Sequence, residues 1–189
     1  MIDFWRLWSG ELDSPLISNI ITECEYYAPQ ESTLGHSGET VIDGYRSSEL
    51  RWINKHDPNS KFIADLMWLY AERANRDAFG FDISYLNDIQ YTTYRGTSSD
   101  HYDWHHDTFW ANPTCFDRKL TVIFQLSDPS DYEGGVFSLD KQYPQPEKQL
   151  LQTKGSVLVF PSFIPHMVTP VTSGIRKVVV GWIEGPKFR

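Results

Sequence analysis

Apolar residues in the first third of the chain recur with the period of an α-helix. One series runs from Leu16 to Cys24 and is followed by a stop signal at Pro29. Ser14 is suited to cap this helix, and Pro15 has the φ that the first helical position requires. A second series, residues 62–74, follows a Pro-Asn-Ser turn. The pattern therefore predicts two amphipathic helices that carry no catalytic residue.

From about residue 84 the pattern changes to short β-type runs separated by turn residues. These runs are residues 89–95, 119–126, 135–139, 156–160 and 175–183. Several short strands in succession indicate an antiparallel sandwich or barrel. We therefore predict an α+β, mainly β fold, with a double-stranded β-helix (jelly roll) core and N-terminal supporting helices. Residues 1–189 would form one domain, with a helical support and loop in 1–84 and the jelly roll in 85–189.

Between the two predicted helices lies a polar connector, Glu31 to Asp57, which includes the run from Tyr45 to Trp52. It is either an irregular connection or a loop that contacts a substrate, and both interpretations stay open. Long loops in compact domains are common locations for such contacts.

The charge balance limits the classes of partner. The chain has 17 basic and 25 acidic residues, a net charge of -8, and no basic cluster. This argues against binding to a nucleic-acid backbone and mildly favours a neutral or basic substrate. Cys24 and Cys115 are too few for a disulfide framework, so we expect free thiols. Without a signal sequence or a long apolar run, we expect a cytoplasmic protein that does not enter a membrane.

Three residues give the chain candidate metal chemistry. His105 and Asp107 are one residue apart, and His166 lies far downstream. Two imidazoles and one carboxylate form the facial triad, which holds Fe(II) and leaves one face open for oxygen. On a strand, His105 and Asp107 would share a face while His106 points away, and His166 would come from a neighbouring strand. Taken singly, each residue is better explained by an ordinary polar contact than by metal binding.

Arg176 adds a second half to this site. It follows His166 by ten positions (176 minus 166), after a turn marked by Pro170 and Gly174. We expect it on the strand next to the third ligand. The planar guanidinium pairs bidentately with carboxylates and stays charged when partly buried. A metal beside such an arginine suits a dicarboxylate that chelates the metal at one end, and 2-oxoglutarate has that shape.

The same residues resemble a known family. The His-x-Asp pair, the distal His166 and the arginine ten positions later are similar to the Fe(II)/2-oxoglutarate-dependent oxygenases, in particular the prolyl 4-hydroxylase-like branch with its PKHD-type hydroxylases. The resemblance runs from about Tyr94 to Trp182, nearly half of the chain. It includes three further motifs: Tyr94-Arg95-Gly96, Glu133-Gly134-Gly135 and the run from Gly155 to Pro161.

The resemblance implies a cofactor set and a reaction. Fe(II) would be bound by His105, Asp107 and His166, with 2-oxoglutarate as cosubstrate, O2 as oxidant and ascorbate as a reductant. The reaction would hydroxylate an unactivated C–H bond, most simply of a prolyl residue in a peptide or protein, with release of succinate and CO2. Small molecules stay open as substrates. Halogenating relatives lack the carboxylate ligand, so the presence of Asp107 favours hydroxylation.

The resemblance also implies binding residues. Arg176 and Tyr94 would hold 2-oxoglutarate. Thr121 and Gln125 lie on the strand where prolyl hydroxylases often place a Tyr or Thr toward the cosubstrate, and Gln125 is expected to donate to its distal carboxylate. The expected substrate contacts are Arg46, Trp52, Tyr102 and Trp182.

Two other classes of protein stay open at this point. A jelly roll with histidine ligands is also typical of cupin metalloenzymes that use no 2-oxoglutarate, although Arg176 argues against them. A β-sandwich is also compatible with a noncatalytic module that binds sugars or peptides. The sequence predicts no oligomeric state.

Overall fold

A computed structural model describes residues 4–32, 44–111 and 113–189. Part of the polar connector, residues 33–43, lies outside these ranges, and so does His36. The α-helices are α1 Ser14–Glu25, α2 Lys61–Ala74 and α3 Lys148–Gln152. The strands are β1 Arg6–Trp8, β2 Gln30–Glu31, β3 Arg46–Ser47, β4 Glu49–Trp52, β5 Tyr85–Arg95, β6 His101–His105, β7 Phe116–Gln125, β8 Tyr132–Gly134, β9 Phe137–Leu139, β10 Val157–Pro161, β11 His166–Val168 and β12 Val171–Pro186.

Both predicted helices are present, but the cap of the first is wrong by one residue. Asp13, not Ser14, is the N-cap of α1, because its side chain accepts a hydrogen bond from the amide of Leu16 at 2.9 Å. Asp and Ser are equally good N-cap residues, so the residue types alone did not show which of these two neighbours is the N-cap. Helix α2 continues as one π-helical turn, Asn75–Phe79, and ends at Gly80 in the left-handed conformation.

The strands form two antiparallel sheets, which confirms the mainly β, jelly-roll fold. The large sheet has eight strands in the order β1-β10-β7-β12-β5-β4-β2, with β8 paired to β12, and the small sheet has the order β3-β6-β11-β9. The described residues before Tyr85 therefore contribute four strands in addition to the two helices. β12 is longer than predicted, and the predicted strand at 135–139 is shortened to β9.

Two apolar cores lie on opposite faces of the large sheet. Val179 on β12 faces α1 and α2 in the first core, whereas its neighbour Val178 faces the small sheet in the second. This follows from the alternation of side chains along a strand. The molecule thus has three layers, and the second core surrounds a cavity between the sheets. Within the described ranges, no helix combines the length and apolar character needed to cross a bilayer.

Candidate active site

Strand pairing brings the two candidate histidine ligands side by side. β11 pairs with β6 so that His166 is opposite His105, and Asp107 follows two residues after the end of β6. One ligand atom from each of the three side chains lies within 4.8 Å of the others. Nε2 of His105 is 3.8 Å from Oδ1 of Asp107, and Nε2 of His166 is 3.6 Å from Oδ2.

Hydrogen bonds select the tautomer of both histidines. Nδ1 of His105 is 2.7 Å from the carbonyl oxygen of Asp103, and Nδ1 of His166 is 3.0 Å from that of Ile164. A carbonyl accepts and does not donate, so each Nδ1 carries the hydrogen and each Nε2 keeps its lone pair. Burial, aided by His166, lowers the pKa of His105 to about 3. His105 is therefore neutral at pH 7.

Asp107 is held by hydroxyl groups. Thr121 donates to its Oδ2 at 2.7 Å, and the Ser162 hydroxyl is 2.9 Å from that of Thr121. Burial alone would raise the pKa of Asp107, but the neighbouring imidazoles, Arg118 and the Thr121 hydrogen bond together lower it to about 2. Asp107 is therefore an ionised carboxylate. Two imidazole nitrogens and one carboxylate, grouped in one place, fit a divalent iron ion.

Arg176 faces the cavity from the opposite sheet. The expectation that it lies on a strand next to His166 is wrong, because β12 pairs with β5, β7 and β8 but not with β11. Its guanidinium is buried, with 5% of the residue exposed, and lies 5.6 Å from the centre of the Tyr94 ring. Among the described residues no carboxylate pairs with it, and its Nε has no hydrogen-bond partner. A buried, unpaired cation is costly, so this position fits a carboxylate ligand such as the distal end of 2-oxoglutarate.

The other expected cosubstrate contacts differ in position. Tyr94 and Thr121 line the cavity. Burial raises the pKa of Tyr94, so its hydroxyl stays protonated and able to donate. Gln125 is buried outside the cavity lining, and its side-chain nitrogen donates to the carbonyl of Ser127 at 3.2 Å and to the hydroxyl of Tyr132 at 3.1 Å. Its amide hydrogens are thus already used, and Tyr132 is a residue that sequence reasoning missed.

A backbone feature gives Arg176 its space. Gly135 has φ +56°, and a Cβ placed there would lie 2.9 Å from a Val171 methyl and 3.0 Å from Cδ of Arg176. Gly135, which directly follows β8, therefore has a specific role, since any side chain there would push against the arginine.

The cavity has a volume of about 560 Å³ and is lined from both sheets. The four expected substrate residues line it, and they contact one another or the triad. The Tyr102 ring stacks on His105 with centroids 3.4 Å apart, and the Arg46 guanidinium lies 4.2 Å from the Tyr102 ring centre. The rings of Trp52 and Trp182 are 6.1 Å apart. His106 also reaches the lining, but it is exposed and contacts Trp110.

Arg118 and Asp88 at the outer end were not identified from sequence. The guanidinium of Arg118 lies 4.1 Å from the Trp182 ring centre, and its Nη2 is 3.3 Å from a carboxylate oxygen of Asp88. The Nε of Arg118 and the indole N–H of Trp182 are buried, and neither has an acceptor within the part of the chain that the structure describes. No sequence signal marked these residues, because Arg118 precedes the predicted strand and Asp88 lies on a part of β5 that was not predicted.

A family model for the 2OG-Fe(II) oxygenase superfamily matches residues 89–184, just over half of the chain. The chain belongs to this superfamily. Its members are named for Fe(II) and 2-oxoglutarate, and the chain has the His-Asp-His triad for the metal.

This 2OG-Fe(II) oxygenase is similar to several PKHD-type hydroxylases. It is 40% identical to one from Synechococcus sp. (strain CC9902) over 90 residues, which are 48% of this chain and 39% of that protein. It is 33% identical to one from Parvibaculum lavamentivorans over 132 residues, 69% of this chain and 58% of that protein. The chain thus spans less than two thirds of the length of either relative.

Solved structures show the same fold at low identity. A Trichoplax adhaerens prolyl hydroxylase in complex with a hypoxia inducible factor peptide fragment superposes with a TM-score of 0.74 at 18% identity, covering 96% of this chain and 83% of that one. A viral collagen prolyl hydroxylase from Paramecium Bursaria Chlorella virus-1, in a 2OG complex, gives 0.69 at 17% identity and covers 97% of both chains.

Proposed function

We propose that this oxygenase hydroxylates an unactivated C–H bond of a prolyl residue in a peptide or protein, with release of succinate and CO2. Residues 1–189 would act as a single oxygenase domain. The observation that carries the proposal is the buried guanidinium of Arg176, which faces the triad across the cavity without an acidic partner among the described residues.

Different residues would bind the metal and the cosubstrate. His105, Asp107 and His166 would hold Fe(II), and Arg176 with Tyr94 would hold the distal carboxylate of 2-oxoglutarate. When bound, Fe(II), 2-oxoglutarate and O2 supply the oxidising power, and ascorbate is the proposed reductant that keeps the iron ferrous. The protein fixes the positions: the two backbone carbonyls orient the imidazoles, and Thr121 orients the carboxylate.

The outer end of the cavity suits a peptide. Arg118 is already neutralised by Asp88, yet its Nε and the indole N–H of Trp182 are buried and find no acceptor in the described ranges. A neutral amide carbonyl would satisfy both donors without adding charge. The rings of Trp52 and Trp182 provide apolar surface next to these donors, which is suited to the ring of a proline. Small molecules with an amide group are the alternative.

The first experiment tests cosubstrate binding without turnover. Under anaerobic conditions, Fe(II) plus 2-oxoglutarate should produce a weak visible charge-transfer band with the wild-type protein. The band should vanish in His166→Ala and persist in His56→Ala, a histidine remote from the cavity. Arg176→Ala should keep metal binding and lose the band at ordinary cosubstrate concentrations.

The second experiment tests the reaction. In air, the protein should convert 2-oxoglutarate to succinate, and mass spectrometry should find one added oxygen atom in members of a panel of proline-containing peptides. Metal binding without any response to 2-oxoglutarate would instead favour a cupin-type metalloenzyme. Absence of both would favour a noncatalytic binding module.

A further inference from the structure

Arg46 carries a positive charge in the cavity and has no acidic partner among the described residues. Its Nε donates to the hydroxyl of Ser48 at 3.3 Å, and its Nη2 donates to the side-chain oxygen of Gln90 at 2.8 Å. Both acceptors are neutral. Within the described part of the chain no carboxylate lies within ion-pair distance of this guanidinium, and its Nη1 makes no hydrogen bond. Arg46 is partly buried and lines the cavity.

When Fe(II) and 2-oxoglutarate are bound, the other charges of the described residues that line the cavity sum to zero. Asp88 pairs with Arg118. A dication on the triad, together with Asp107 and Arg176, carries two positive charges in total, and the two carboxylates of 2-oxoglutarate neutralise them. Among the described residues that line the cavity, Arg46 then remains as one positive charge without a compensating negative charge. A partly buried cation in this position is stabilised by an anionic partner, and a planar guanidinium prefers a carboxylate.

The position of this charge is defined by a stack of three groups. The guanidinium of Arg46 lies over Tyr102, and Tyr102 stacks on His105. The Tyr102 ring thus separates the charge of Arg46 from the metal ligand His105. The span of this stack is comparable to the length of roughly two residues of extended chain.

We propose that Arg46 binds a carboxylate of the substrate, so that the enzyme prefers prolyl peptides with an acidic group within about two residues of the target. This rests on the proposed function. The net charge of -8 disfavours an acidic ligand at long range, but salt screens such effects beyond about 8 Å at physiological ionic strength. Inside the cavity, the contact with Arg46 dominates.

The test uses matched peptides and binding under anaerobic conditions. The peptides are seven residues long, acetylated and amidated, with a central proline and either Glu or Gln at one of the two positions on each side. A further pair ends at the proline with a free acid or an amide. Binding to the protein loaded with Fe(II) and 2-oxoglutarate is measured by calorimetry. At least one acidic peptide should bind about 10- to 100-fold more tightly than its neutral match.

Variants assign this preference to Arg46. Arg46→Gln should bind acidic and neutral peptides equally, and Arg46→Lys should retain part of the preference because it keeps the charge. Arg76→Gln, an exposed arginine on the π-helical turn that follows α2, should behave like the wild type. All three variants should keep the charge-transfer band.

Three results would overturn the proposal. The first is a wild-type protein that binds the matched peptides equally or binds none of them. The second is an unchanged preference in Arg46→Gln. The third is loss of the charge-transfer band in Arg46→Gln, which would mean that the stack on Tyr102 merely supports His105. Failure of the proposed function is distinguishable, because the wild-type protein would then bind none of the peptides or lack the band. Failure of the Arg46 proposal alone leaves the peptides bound, with equal affinity for the matched pairs or with a preference that Arg46→Gln does not change.

Discussion

The hydroxyl of Thr121 donates a hydrogen bond to Oδ2 of Asp107 at 2.7 Å. Because its single hydrogen is used there, the Ser162 hydroxyl must be the donor to Thr121. The backbone carbonyl of Ser162 also accepts from the amides of Asp107 and Thr108. One serine thus ties the segment before His166 to the carboxylate, and the two parts of the triad are fixed relative to each other.

Replacing Thr121 tests this arrangement. Thr121→Val removes the hydroxyl at nearly constant volume, so Asp107 should lose its orientation and affinity for Co(II) should fall about 10- to 100-fold. Thr121→Ser keeps the hydroxyl and should restore most of the affinity. Calorimetry with Co(II) measures both. Equal affinities in the Val variant and the wild type would contradict a positioning role.

A Cβ at Gly135 should act through Arg176. In Gly135→Ala the new methyl presses on Cδ of Arg176, so affinity for 2-oxoglutarate should fall at least tenfold while Co(II) affinity stays within about twofold. Gly80→Ala is the matched control, because Gly80 also has positive φ but no atom lies within 4 Å of its Cβ position. If both variants bind 2-oxoglutarate equally well, the close contact does not govern the arginine.

Gln125 should matter for stability more than for cosubstrate binding. Gln125→Leu leaves the buried carbonyl of Ser127 and the hydroxyl of Tyr132 without their donor, so the free energy of unfolding should fall by about 1–3 kcal/mol. Urea denaturation measures this, with the exposed Gln142→Leu as control. A large loss of 2-oxoglutarate affinity at unchanged stability would instead support the direct contact expected from the sequence.

Metal should stabilise the fold through the triad. Ligand present at 100 times its dissociation constant adds about 2.7 kcal/mol to the free energy of unfolding. Co(II) at that excess should therefore raise the thermal midpoint of the wild-type protein, and a chelator should reverse the change. Asp107→Ala should show no such shift. A shift of equal size in that variant would place the bound metal elsewhere.

The candidate metal ligands and Arg176 were accessible from sequence because their residue types and spacing match a family motif, although Asp107 lies beyond the end of β6 and Arg176 is not on a strand paired with β11. Arg118 was not, and the reason is a local irregularity in β7. In the pairing with β12, Ile183 is opposite Leu120 but Glu184 is opposite Arg118, so one extra residue interrupts the alternation. Arg118 and Thr121 therefore both line the cavity although they are three positions apart. A strict period of two cannot find such a residue.

Ser162 and Tyr132 were missed for a different reason. Each acts through a hydrogen bond to a residue on another strand, Thr121 and Gln125 respectively. Such contacts depend on how β7 lies against the turn before β11 and against β8. The local pattern of apolar and polar residues does not determine which strands and turns lie next to one another.

β12 carries Arg176 near one end of the cavity and Trp182 near the other, with Val178 and Val180 between them on the same side. Six residues of strand span roughly 20 Å, so the number of residues between Arg176 and Trp182 sets the length of the cavity along β12. Deleting or inserting one residue between the two would turn one of them out of the lining. Changes in the length of the ligand that the cavity accepts must therefore arise in the surrounding loops, because a single-residue insertion or deletion in β12 would misplace Arg176 or Trp182.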